Sequence, residues 1–185
     1  MVRDGRRSEK DLGRLKAAMQ AVIDDHCQFN KTWKTIKLGA HKSADDYLKA
    51  LKEAGFRVGN WANDMIKKPA FKITNEPTDV ELVLVTVAEL GFPSGATQKD
   101  IYGKAPSMGL QLCPPEVGPA LRLDYQDQPP IEYILIGMEP IADSYGGLKV
   151  FNVSHVGSDP WLDTYCADPD YHWSSVFRFV FVRRK

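Results

Sequence analysis

The spacing of hydrophobic residues predicts an α+β fold: N-terminal helices followed by a mostly antiparallel sheet of four or five strands with two inserted helices. Three observations predict it. Apolar residues recur at helical spacing through the first third of the chain. Runs rich in Val, Ile, Phe and Tyr dominate the last third. The final run, Val176 to Val182, is apolar on both faces except at Arg178, which is the texture of a central strand.

Each element has a local signal. Residues 8–29 carry Leu12, Leu15, Met19, Val22, Ile23 and His26 at helical spacing, behind a capping pair Ser8 and Asp11. A second helix is expected over 43–54, with Ser43 as N-cap, Asp45 and Asp46 in the first turn and Gly55 just past its end. A third covers 60–67, opened by Asn60 and closed ahead of Pro69, with Trp61, Met65 and Ile66 inward. Phe71 and Ile73 begin a strand-like segment, and the valines of 80–90 favour a buried strand. Thr97 and Asp100 cap an inserted helix over 98–108. Pro114 and Pro115 suit the first turn of a second, over 115–125, which Pro119 is expected to split. Strands follow at 132–139, 148–156 and 161–165, the first two joined by the turn-rich segment 143–147. The domain division expected is an N-terminal helix over 1–30, as an appendage, and a single α+β domain over 31–185.

The composition fits a globular chain: of 185 residues, 43% are hydrophobic and 26% charged, which excludes disordered, collagenous and disulfide-scaffold classes. No apolar run reaches the roughly 18 residues of a membrane span, and the basic N-terminus lacks the apolar core of a secretory signal. Cys27, Cys113 and Cys166 lie far apart with no paired spacing, so reduced thiols and a cytoplasmic location are expected.

The formal net charge of zero conceals a polarity. Residues 1–75 hold 16 Lys and Arg against 9 Asp and Glu, whereas 76–182 hold 5 against 15. Either the two segments dock on each other, the expected arrangement, or the basic one faces an anionic partner. Lysines spread over 31–75 with Trp33 and Trp61 between them make nucleic acid a possible partner, bound without sequence preference. Residues 96–128 imitate a winged helix, but 114–128 hold one Arg against Glu116, Asp124 and Asp127, the wrong charge for a recognition helix.

Candidate chemistry concentrates in Cys113–Gln128. No glycine-rich phosphate or dinucleotide loop occurs, nor a Gly-x-Ser-x-Gly elbow or a His-Glu-x-x-His pair. Glu116, Arg122, Asp127 and Glu139 are the candidate catalytic residues, because carboxylates beside an Arg separate in pKa and can share acid–base work. The same grouping also describes an ion-pair network that ties a loop to a sheet. Gln128, Trp161 and Trp173 are the candidate binding residues, the tryptophans as an aromatic wall. His155, Asp159, Asp163, Cys166, Asp168, Asp170 and His172 fall within 18 residues, but without the paired spacing of a zinc site or the glycine of a calcium loop. Cys113 and His155 are weighed as a nucleophile and base, against a buried thiol and a strand histidine. No metal and no cofactor is expected.

The stretch GATQKDIYGKAPSMGLQLCPPEVGPALRLDYQDQP, followed by GMEPI and FRFVFVRRK, resembles a pattern in small uncharacterised bacterial proteins. The upstream segments TIKLGAHKS and VGNWANDMIKKPAF are similar to the same group. The likeness covers about residues 32–185 and implies a bacterial-type soluble protein with no assigned activity. Three functions are carried forward: a cytoplasmic binding or interaction module for an unknown protein or small molecule, a carboxylate-dependent hydrolase or transferase, and a nucleic-acid-associated protein.

Overall fold

A computed structural model describes residues 12–17, 19 and 31–184. The chain divides into two compact units, 1–31 and 32–185. In the first, residues 12–17 and 19 are helical, with Leu12, Leu15 and Met19 exposed. The rest of the helix expected over 8–29 lies outside the described residues.

The second unit is built on one mixed sheet of nine strands. Its main path runs β1 (Lys34–Leu38), β3 (Thr78–Thr86), β11 (Arg178–Arg183), β6 (Tyr133–Ile136), β8 (Leu148–Val156), β9 (Asp159–Cys166) and β2 (Arg57–Val58). Two short strands attach off this path, β5 (Leu110–Gln111) on β11 and β7 (Ile141–Ala142) on β8. A separate ladder joins β4 (Ala96–Thr97) to β10 (His172–Trp173). This corrects the expected architecture. The sheet is a mixed, curled, half-barrel-like sheet of nine strands, not an antiparallel one of four or five. Two of its pairings, β11 with β6 and β2 with β9, are parallel. Its first strand precedes every helix of this unit, so the expected order of helices first, sheet second does not hold.

Four short helices accompany the sheet: α1 (Ala44–Glu53), α2 (Asn60–Ile66), α3 (Gln98–Lys104) and α4 (Val117–Asp124). The cap signals act as expected at α1, where Ser43 Oγ accepts from the Asp46 N–H, and at α3, where Thr97 does the same for Asp100. Pro119 does not split α4, because it lies in the first turn, where an N–H has no intrahelical acceptor to lose. Phe71 and Ile73 form no strand; Phe71 is buried between the rings of Tyr47 and Phe151.

Strand register assigns the two faces, since directly paired residues point the same way. One face presents Ile36, Leu38, Leu82, Val180, Val182, Ile134, Ile136, Phe151, Val153 and Leu162, all buried. Helix α4 packs here, with Gly118 so close to the Phe151 ring that a Cβ would lie 2.7 Å from it. The opposite face carries Val83, Val85, Phe179, Phe181, Leu135, Asn152 and Tyr165. Part of it is roofed by aromatic side chains. Tyr102 of α3 stands edge-on to Phe179 and Phe181, and Trp173 meets Phe179, Phe177 and Tyr165. Trp173 Nε1 donates to Gln98 Oε1 at 2.8 Å, which fixes this roof to α3. Beyond Tyr165 the face is open.

Candidate functional site

The open part of that face forms a groove of about 420 Å³ over β6, β8 and β9. Such a volume lies within the range of about 300–1,000 Å³ usual for small-molecule sites. Register places its lining in rows across the strands. Tyr133, Ser154 and Trp161 form one row, Asn152 faces Asp163 in the next, and Tyr165 follows beside Val150. Val156 and Asp159 close the hairpin end.

Period-two alternation along β9 sets Trp161, Asp163 and Tyr165 on this one face, each about 6.6 Å from the next. A carboxylate therefore stands between two aromatic rings. Asp163 Oδ1 accepts from the Thr164 N–H at 2.8 Å, and its other oxygen makes no hydrogen bond among the described residues. Gly59, at the start of α2, lies against this carboxylate so closely that any Cβ there would overlap it. Across the hairpin, about 5 Å away as directly paired side chains are, Asn152 is 5% exposed. Its Oδ1 is buried and has no hydrogen-bond partner among the described residues.

The walls are held from outside the groove. Tyr165 packs on Tyr171, Trp173 and Phe177. Arg57 of β2 lies beside Trp161, its guanidinium 5.7 Å from the ring centre and its Nε 2.8 Å from Asp159 Oδ2. Two carboxylates and one guanidinium leave the groove with a negative balance.

The residues singled out from sequence fall around this groove in distinct places. Trp161 lines it. Gln128 and Arg122 lie beneath it, on the other side of the sheet. Gln128 Nε2 donates to the Val153 and Glu132 carbonyls, and the Gln128 carbonyl meets His155 Nδ1 at 2.6 Å. Arg122, fully buried, donates to Gln128 Oε1 and to the carbonyls of Tyr125 and Ser154, and its guanidinium covers the Phe56 ring at 4.7 Å. Burial pulls this guanidinium down to about 10, against the opposing pull of Tyr125 and Glu132, so it stays charged at neutral pH. Together the two side chains brace the stretch of β8 whose opposite face carries Asn152 and Ser154.

Glu116 sits elsewhere. It is fully buried and accepts from the Gly39 N–H at 2.7 Å, the Thr74 N–H at 2.7 Å and the Tyr47 hydroxyl at 2.6 Å. Its carboxylate ties the β1–α1 turn, α1 and the 67–77 segment to the start of α4. Asp127 and Glu139 are exposed, and none of the four candidate catalytic residues lines the groove. Trp173 is fully buried in the aromatic roof and offers no surface to a ligand.

Cys113 donates to the Val180 carbonyl at 3.4 Å, and burial pushes its thiol far up. His155 is engaged with Gln128, so the two do not form a nucleophile–base pair. Among the described residues, no three His, Cys, Asp or Glu side chains are grouped to hold a metal. Two ion pairs join 31–75 to 116–170, Lys34 with Asp124 at 3.2 Å and Arg57 with Asp159. A second depression, of about 370 Å³, is lined by Thr78–Glu81, Gln111 and Val182–Arg184, and Arg183 Nε meets Glu81 there at 2.9 Å.

Sequence reasoning missed Tyr133, Asn152 and Tyr165, and weighed Asp163 only within a possible metal cluster. Compared with known proteins, the chain matches no family model, no curated protein and no solved structure.

Proposed function

We propose that this chain is a binding module whose ligand docks in the groove over β6, β8 and β9. One observation carries the reading: a nearly buried amide, its Oδ1 unpartnered among the described residues, on the floor of an open, aromatic-walled groove. An unmet buried acceptor costs roughly 1–3 kcal/mol, and a ligand donor relieves it if the Asn152 amide turns its Oδ1 toward the groove. The walls are fixed by packing before any ligand arrives, so little ordering cost attaches to binding.

A cytoplasmic setting belongs to this reading, supported by two free thiols at Cys113 and Cys166. Among the described residues, no helix is long and apolar enough to cross a membrane. Carboxylate catalysis gains no support from the geometry, since Glu116 and Arg122 are each engaged by internal partners.

The test is a series of ¹⁵N–¹H spectra with three probe classes: amino-acid amides, sugars and short oligonucleotides. At least one small-molecule class should move the Trp161 indole and Asn152 side-chain amide signals together, and Trp161→Ala should abolish the response. Shifts confined to the lysines of 31–75, produced by oligonucleotides and weakening with salt, would replace this reading with the nucleic-acid one.

A further inference from the structure

We infer that the groove recognises a guanidinium group, the side chain of an arginine; this rests on the binding reading above. Its chemistry is complementary to that group on each side. Asp163 offers a carboxylate oxygen with no ion pair among the described residues, set between Trp161 and Tyr165 on the same face of β9. Asn152, paired directly with Asp163, carries a buried Oδ1 with no donor among the described residues, and a turn of its amide brings this second acceptor to the groove. A planar cation with several N–H donors satisfies both acceptors while its faces lie against aromatic rings.

The protein shows this mode with its own side chain. Arg57, in the neighbouring strand, combines an ion pair to Asp159 with a cation–π contact to Trp161. Trp161 thus has one cation beside it on β2, and Asp163 follows it on the same face of β9. A lysine ammonium fills this arrangement less well, since a point charge cannot address two acceptors and two ring faces in one plane. An anionic ligand is repelled by Asp159 and Asp163.

Binding of L-argininamide and of its neutral isostere L-citrullinamide, measured by calorimetry on the full chain, tests the inference. Argininamide should bind at least tenfold more tightly than citrullinamide, with lysinamide between them. Asp163→Asn should remove the difference, and Gly59→Ala, which displaces the carboxylate without altering its charge, should weaken argininamide severalfold. Circular dichroism of both variants should match the parent. A capped Gly-Arg-Gly peptide distinguishes a free ligand from an arginine within a chain, and tighter binding of either form than of its citrulline counterpart supports the inference. Equal binding of argininamide and citrullinamide overturns the guanidinium assignment and leaves the groove reading in place. No binding of any cationic probe, with a response to another class, overturns it in the same way; no response to any class removes both.

Discussion

The Tyr47 hydroxyl donates to Glu116 Oε1 at 2.6 Å, and neither side chain is exposed. This bond links α1 to α4 across a gap of 69 residues in sequence. The carboxylate also holds two backbone N–H groups, at Gly39 and Thr74, so it closes the unit around its own N-terminal segment. Glu116→Gln turns an amide N–H₂ toward at least one of these donors and should cost about 2 kcal/mol. Tyr47→Phe should cost about 1 kcal/mol. The double variant should lose clearly less than the sum, since the two groups share one bond. Urea unfolding of the four proteins measures this; strict additivity would show that the bond carries nothing.

Arg122 should be a positioning residue, felt at the groove without touching a ligand. Arg122→Met leaves Gln128 Oε1 and the Tyr125 and Ser154 carbonyls without their donor, at a cost of about 3 kcal/mol. At temperatures where the variant is still folded, hydrogen exchange should rise at Val153 and Ser154 and ligand affinity should fall severalfold. Unchanged exchange along β8 would contradict the bracing role.

Ile131 should be replaceable with a gain in stability. It has φ of 65°, a region that suits glycine and strains a β-branched residue, and it is 81% exposed. Ile131→Gly therefore gives up little packing and should stabilise the fold by about 0.5–1 kcal/mol. A lower melting temperature would show that the side chain has a partner.

Alkaline titration should separate the tyrosines. Burial pushes up the phenols of Tyr47, Tyr102 and Tyr125, the last to about 12, and a hydrogen bond to Tyr165 does the same for Tyr171. In the folded chain these phenols keep protons that the unfolded chain releases near pH 10. Stability should thus be unaffected by them below about pH 10 and fall as pH rises beyond it. Absorbance at 295 nm should show fewer than seven tyrosines ionised in the native protein at about pH 11, and all seven in guanidinium. A single native titration near pH 10 would contradict the burial of these rings.

The local features were legible in the sequence and the long-range ones were not. Ser43 and Thr97 announce α1 and α3 because a cap is a contact within four residues. The centrality of β11 was visible in VFRFVFV, since only a strand covered on both faces tolerates that run. By contrast β1 is five residues, KTIKL, whose buried Ile36 and Leu38 alternate with surface residues inside a lysine-rich segment. The two-residue strands exist only through their partners, and the parallel pairing of β6 with β11 joins segments more than 40 residues apart. Of the groove, Trp161 was legible as an aromatic in a strand. Asp163 and Tyr165 carry a usable signal, the alternation Trp-x-Asp-x-Tyr in a predicted strand. Asn152 carries one too, a polar residue between Phe151 and Val153. What no local pattern contains is the pairing of Asn152 with Asp163, which register alone creates.

The most direct measurement is a titration of the parent chain and Asp163→Asn with L-argininamide, followed at the Trp161 indole and Asn152 side-chain amide signals. The account predicts saturable shifts of both signals in the parent and affinity at least tenfold weaker in the variant. Identical titrations of the two proteins, or shifts that leave Trp161 and Asn152 unmoved, would contradict it.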